Sequence, residues 1–248
     1  MDKVAIISDI HGNMHALEAV LAHIEQQGIH TIYCLGDLIG KGPDGDLVVD
    51  RCKVVCDVIV RGNWDDLIGN NHTSEGMKWW KARLSQHHID YLKGLPNVYD
   101  FVMSGKHVRL FHASQISEHH RVYGRSDVNT FDAHHAMFTN TDFTGYDNPE
   151  PDIVGYGDIH AAYMMYVDTG KMLFNAGSVG NPLDMPLSVY TVLTGHLGEQ
   201  TSHPFHIEFV RVPYDIEAAI QRAQDCDMPE TDAYIRELRT CQYRGKPD

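Results

Sequence analysis

Two pairs in this chain, Asp9 with His11 and Asp158 with His160, set a carboxylate and an imidazole two residues apart, and Asp37, Asn63 and His112 lie between them. Carboxylate and carboxamide oxygens and imidazole nitrogens are ligands for divalent cations. Each candidate sits at or just beyond the end of a short apolar run: residues 4–8, 31–35, 54–60, 108–113 and 152–157. On extended backbone, residues i and i+2 point to the same side, so Asp9 and His11 can share one ion. A carboxylate has two oxygens, so Asp37 can bridge two ions roughly 3.5–4 Å apart, the spacing of two-metal phosphoryl chemistry. Asn63 offers a neutral oxygen. Taken singly, each residue has another reading: Asp9 as a helix cap, Asp37 and Asn63 as turn residues, His112 as a core imidazole held by a backbone group.

The elements that must position these residues follow from hydrophobic period and turn chemistry. The continuous apolar run 4–8 predicts a buried parallel strand. Asn13 can cap a helix through Leu17, Val20, Leu21 and Ile24, with Gly28 as its stop. A second strand at 31–35 precedes a short helix started by Asp44 or Asp46, running through Leu47, Val48 and Asp50. The run 54–60 predicts a third strand, and 75–92 one long helix carrying Trp79 and Trp80. Residues 99–104 and 108–113 flank Gly105 and Lys106 as a hairpin, 114–127 has no period and predicts a long loop, and a helix follows near 128–138. Strands are expected at 152–157, 163–167, 171–175, 189–193 and 205–212, with a helical C-terminal extension from about 215. Parallel strands early and hairpins late predict an α/β fold: a four-layer α/β/β/α sandwich of two mixed sheets, one domain over residues 1–248.

The composition narrows the ligand. Thirty-four acidic against 20 basic residues give a formal charge of -14, which repels polyanions and disfavours nucleic acid as a partner. A small phosphorylated substrate stays in range, because two bound divalent ions would add about +4 locally. A hydrophobic fraction of 43% and a charged fraction of 22% are those of a packed globular protein. The first residues contain no signal-peptide core, and no apolar run nears the roughly 20 residues of a bilayer span, so a cytoplasmic location without a membrane partner is expected. The five cysteines are odd in number, lack CxxC spacing and are read as reduced packing residues. Nothing in the sequence bears on oligomeric state.

In chain order, Asp9-Ile10-His11, Gly36-Asp37, Gly62-Asn63-Trp64-Asp65, His112 and Gly157-Asp158-Ile159-His160 resemble the blocks D-x-H, G-D, G-N-H-D/E, H and G-H-x-H of the calcineurin-like metallophosphoesterase superfamily, over roughly residues 4 to 180. Within it the chain is similar to the bacterial small phosphodiesterase and diadenosine tetraphosphatase-like branch. The resemblance implies a phosphoesterase with two divalent ions. One would be held by Asp9, His11, Asp37 and His160, the other by Asp37, Asn63 and His112. A metal-bridging hydroxide would attack in line while the ions and Asn63 stabilise the developing charge.

Two positions depart from the family pattern: its second-ion histidine falls on Asp158, and its histidine after Gly-Asn falls on Trp64. A carboxylate ligand at 158 moves the preference toward manganese or iron, with magnesium and zinc also in range. An indole cannot transfer its proton usefully, so phosphoanhydrides or activated diesters are expected over alkyl phosphomonoesters. His119, His120 and Asp65 are candidate replacement acids. Lys41, Arg61, Arg121 and Arg125 are candidate phosphate contacts, and Trp64 a substrate contact. The turn Ser178-Val179-Gly180-Asn181 is expected to be structural. The alternative expectation is a catalytically weakened metal- or nucleotide-binding regulatory protein.

Overall fold

Side chains of the first strand, β1 (Asp2–Ile7), alternate between two cores: Ala5 and Ile7 face helices, while Val4 and Ile6 face a second sheet. The computed structural model describes residues 1–70, 75–124 and 128–244. After β1 come α1 (Met14–Gln26), β2 (Thr31–Cys34), α2 (Gly45–Val55), β3 (Val58–Ile59), α3 (Asn63–Gly69), α4 (Glu75–Ala82) and α5 (Gln86–Lys93). The second half holds β4 (Val98–Met103), β5 (Lys106–Phe111), α6 (Val128–Ala136), β6 (Ile153–Tyr156), β7 (Tyr163–Asp168), β8 (Lys171–Asn175), β9 (Ser188–Gly195), β10 (His206–Val212), α7 (Ile216–Asp225) and α8 (Thr231–Thr240).

One five-stranded sheet has the order β10-β9-β1-β2-β3, the other β4-β5-β6-β8-β7. In the first, β1, β2 and β3 are parallel; in the second, β5, β6 and β8 are. Antiparallel strands complete each, so both sheets are mixed. Val4, Ile6, Leu35, Val108, Leu110 and Phe174 fill the space between the sheets. Outside the first sheet, α1, α2, α7 and α8 bury Leu17, Val48, Ile220 and Leu238. Outside the second, Met137 and Phe138 cover Val154 and Leu173. This is the expected α/β/β/α sandwich.

Local departures have local causes. Helix α2 continues to Val55, because Val48, Val49 and Cys52 form its buried stripe; Val54, 80% exposed, is on its outer side, and β3 shrinks to two residues. The expected helix over 75–92 is two, since Ser85 opens α5 by accepting the His88 N–H at 3.2 Å. Helix α3 was not expected; its acidic first turn, Asp65 and Asp66, favours a helix N-terminus. The C-terminal extension is helical as expected, with Asp215 accepting from the Ala218 N–H. Among the described residues no helix is long and apolar enough to cross a membrane.

Candidate metal centre

The carboxyl ends of the parallel strands of both sheets open on one place. Asp9 and His11 follow β1, Asp37 follows β2, Asn63 follows β3, His112 follows β5, and Asp158 and His160 follow β6. The backbone there is not extended, as expected from the i, i+2 spacing, but left-handed: φ is 53° at Asp9, 50° at His11, 53° at Asp37, 64° at Asp158 and 57° at His160. Such residues cost about 1–3 kcal/mol each and persist where surrounding bonds over-determine them. Here the Asp9 N–H donates to Gly36 O at 3.0 Å, His11 N–H to Asp37 O at 2.9 Å and Gly180 N–H to Asp9 O at 3.1 Å.

The hydrogen bonds of the imidazoles settle which nitrogen faces inward. Nδ1 of His11 lies 3.1 Å from Ile39 O, Nδ1 of His112 2.7 Å from Leu35 O, and Nδ1 of His160 2.6 Å from Asn181 O. A carbonyl only accepts, so each Nδ1 carries a proton and each ring turns its Nε2 inward. The Nε2 atoms of His11 and His160 face each other at 3.1 Å, and that of His112 is buried without a partner. Two lone pairs at that distance repel unless positive charge lies between them.

Carboxylates complete the set. Asp9 Oδ1 is 3.3 Å from His160 Nε2 and 3.8 Å from His11 Nε2. Asp37 sends Oδ2 to within 3.4 Å of His11 Nε2 and Oδ1 to within 3.5 Å of His112 Nε2, the placement a bridging carboxylate needs. Asp9 Oδ1 and Asn63 Oδ1 are, like His112 Nε2, buried without hydrogen-bond partners. Donor atoms of Asp9, His11 and His160 lie within 4.8 Å of one another, as do those of Asp9, Asp37 and His112. A buried unsatisfied polar atom costs about 1–3 kcal/mol, so orphaned oxygens and nitrogens converging on one spot fit a divalent cation.

The field at the centre is that of a cation site. Burial pushes the Asp37 carboxyl well above its ordinary range, against the opposing pull of His112, and the neighbouring carboxylates of Asp9 and Asp65 push it the same way as burial. Burial also raises Asp9, but His160, His112 and His11 outweigh it and hold that carboxyl low. Desolvation lowers His112, yet Asp37, Asp9 and Asp158 carry it up to about 9. The site thus draws a proton onto His112 where a metal ion would otherwise compete for the same lone pair.

Backbone donors and close glycines keep the ligands in register. Asp65 is fully buried and accepts from the N–H groups of Asp37 (2.8 Å), Leu38 (3.1 Å) and Gly62 (3.0 Å), so it is a brace rather than the replacement acid. A Cβ on Gly62 would lie 2.1 Å from Asp37 Oδ1, which is why the chain has glycine there. Ser178 Oγ donates to Asp9 O at 2.7 Å, so the 178–181 turn locks the end of β1.

The other expected site residues separate into two groups. Asp158 does not join the donor cluster: Arg121 donates to both its oxygens, Nε to Oδ2 at 2.8 Å and Nη2 to Oδ1 at 2.7 Å. Asp158, expected as a ligand, is here held in an ion pair with Arg121. His119 bonds Asp66 and His120 bonds Ser114, and neither lines the cavity over the centre. Arg61 is spent on Glu118 and Asn97, away from the centre. Arg125 lies outside the described residues. Trp64 and Lys41 do line the cavity, which measures about 360 Å³ and also borders Asp37, Arg121, Tyr123 and His160.

One wall of that cavity is a feature that sequence reading missed. Residues 241–244, just beyond α8, form it, held by Glu237, which accepts from Arg244 Nη2 at 2.7 Å and Nε at 3.0 Å. Lys41 Nζ donates to Asn181 Oδ1 at 2.7 Å and lies 4.0 Å from Glu237, and burial brings its pKa down to about 8. The seven-residue separation of Glu237 and Arg244 is the only sequence trace of this network.

The model of the calcineurin-like phosphoesterase superfamily domain matches residues 3–197. An uncharacterized protein of Methanocaldococcus jannaschii, MJ0912, is 28% identical over 246 residues, covering 92% of this chain and 94% of its own length. The crystal structure of a metallophosphoesterase from Sphaerobacter thermophilus superposes with a TM-score of 0.72 at 21% identity, covering 97% of this chain and 99% of that one. That of the hypothetical protein PH1004 from Pyrococcus horikoshii does so with a TM-score of 0.77 at 17% identity, covering 98% and 100%. Matched over most of its length, and with the family's ordered strand-end residues gathered in one place, the chain belongs to the calcineurin-like phosphoesterase superfamily.

Proposed function

We propose that the protein is a dinuclear metal-dependent phosphohydrolase that cleaves phosphodiester or phosphoanhydride bonds of small, nucleotide-like substrates. The observation that carries this reading is the convergence of the Nε2 atoms of His11, His112 and His160 on Asp9 and Asp37 oxygens at the strand ends of both sheets, with Asn63 Oδ1 buried there without a partner. Asp9, His11, Asp37 and His160 would hold one ion and Asp37, Asn63 and His112 the other. When bound, the ions supply Lewis acidity and lower the pKa of an attacking water. With Asp158 occupied by Arg121, the preference for manganese or iron rests on the oxygens of Asp9, Asp37 and Asn63.

The chain's own residues set the substrate range. The Trp64 indole packs over Gly40, where a Cβ would meet its ring at 2.1 Å, and lies edge-on to His11 at 5.9 Å. It shields the centre from water and offers no transferable proton, so leaving groups that depart as stable anions are favoured. A cavity of about 360 Å³ suits a small ligand, and the -14 charge disfavours a polynucleotide. A reducing cytoplasm accords with five free cysteines.

The test is turnover of bis(p-nitrophenyl) phosphate by manganese-loaded protein, and of diadenosine tetraphosphate against an alkyl phosphomonoester. Activity on the first two, lost in Asp37→Ala with an unchanged circular dichroism spectrum, is the expected result. Trp64 also favours a second reading, a regulatory metal or nucleotide binder. Two bound manganese ions without turnover of any of these substrates would establish that reading instead.

A further inference from the structure

Three cations border the cavity over the metal centre: Lys41, Arg121 and Arg244. Arg244 is committed to Glu237 and Glu230, and Lys41 is buried on Asn181. Arg121 differs from both. It is 36% exposed, and its contact with Asp158 uses one edge of the guanidinium, Nε and Nη2. A guanidinium has five N–H donors, so donors remain beyond those two; Arg121 lines the cavity and has a further side-chain hydrogen bond with Tyr123.

The loop that carries Arg121 is pinned on its far side. Val122 is buried and its carbonyl accepts from Tyr156 Oη at 2.9 Å. The next carbonyl, of Tyr123, lies 2.8 Å from His134 Nε2. Asp158, on the other side, is itself held: its N–H donates to Asp9 Oδ2 at 3.1 Å, and its Oδ1 lies 3.5 Å from Asn63 Nδ2. That last contact orients the Asn63 amide, leaving its Oδ1 among the orphaned donors of the centre. A fixed guanidinium beside a metal cluster, in one cavity, is the arrangement that recognises phosphoryl oxygens.

Resting on the phosphohydrolase reading, we propose that Arg121 is the residue that binds the non-bridging oxygens of the substrate phosphate, and that Asp158 is its positioning residue rather than a metal ligand. The carboxylate at 158 then has its own purpose: it sets the fork and the Asn63 amide together. A charge-assisted contact of this kind is worth about 1.5–3 kcal/mol, or roughly tenfold to more than a hundredfold in binding.

The experiment titrates inorganic phosphate into the manganese-loaded protein by calorimetry and measures bound metal by mass spectrometry. Calorimetry stands whether or not any ester is turned over, so it separates this proposal from the assignment of activity. Arg121→Ala is expected to weaken phosphate binding at least tenfold, with Arg121→Lys recovering part of the loss. Asp158→Asn is expected to weaken it less while keeping the parent's metal content. Where turnover is measurable, the Arg121→Ala loss should fall mainly on KM. Unchanged phosphate affinity in Arg121→Ala, or loss of a metal equivalent in Asp158→Asn, would overturn the proposal. Arg121→Lys, which keeps the charge, serves as the folding control, checked by circular dichroism.

Discussion

Replacing Glu237 by glutamine removes the charge on which the cavity's C-terminal wall is fastened. Glu237 is fully buried, bonded three times by Arg244 and once by Asn181, and 4.0 Å from the buried Lys41 ammonium. Burial alone would raise its pKa, but Arg244 and Lys41 bring it from 4.5 down to about 2. That fall, at about 1.36 kcal/mol for each tenfold change in proton affinity, corresponds to about 3 kcal/mol. Breaking a buried ion pair costs about 3–5 kcal/mol by an independent route, so the two agree near 3. Because the folded pKa is depressed, this stability is fully present above pH 4.5 and is lost as pH falls toward 2. Urea unfolding of Glu237→Gln at pH 7 should therefore give an unfolding free energy about 3 kcal/mol below the parent, a fall in Tm of about 6–12 °C. The difference should narrow steadily below pH 4.5. A loss under 1 kcal/mol at pH 7, or a gap that does not narrow in acid, would refute the reasoning.

Other consequences follow from the same bonds. Gly62→Ala drives a Cβ to 2.1 Å from Asp37 Oδ1 and 2.2 Å from its backbone nitrogen, so it should lose more than about 2 kcal/mol of stability in urea unfolding. Asp65→Asn turns an amide N–H toward one of the N–H donors of Asp37, Leu38 and Gly62; manganese titration should report about 10–100-fold weaker binding. The donor groups meet only in the folded chain, so on the proposed metal centre manganese at about 100 times its Kd should stabilise by about 2.7 kcal/mol, seen as a higher Tm that chelator reverses.

How much of this was readable in the sequence depends on what kind of atom does the work. The donors Asp9, His11, Asp37, Asn63, His112 and His160 announce themselves by side-chain type and position at strand ends. The carbonyls of Leu35, Ile39 and Asn181 that fix the imidazole tautomers belong to the backbone, which carries no residue signature. Asp158 was visible as a departure, but its partner Arg121 lies 37 residues earlier in an aperiodic loop, and only the fold brings them together. The sandwich was legible because β1, β2 and β6 each carry a continuous apolar stretch, Val4 to Ile7, Ile32 to Cys34 and Ile153 to Tyr156. The extent of α2 was not, because Val54 is apolar yet solvent-facing, and a valine run reads equally as strand. Ser85 interrupts a stretch whose apolar spacing alone continues, and its side-chain cap outweighs that spacing.

Diffraction at the manganese absorption edge, from crystals of manganese-loaded protein, tests the central claim most directly. Two anomalous peaks are predicted on either side of the Asp37 carboxylate, one beside the Nε2 atoms of His11 and His160 and one beside His112 and Asn63. No peak among these groups, or a peak bound elsewhere with the donors apart, would contradict a dinuclear centre.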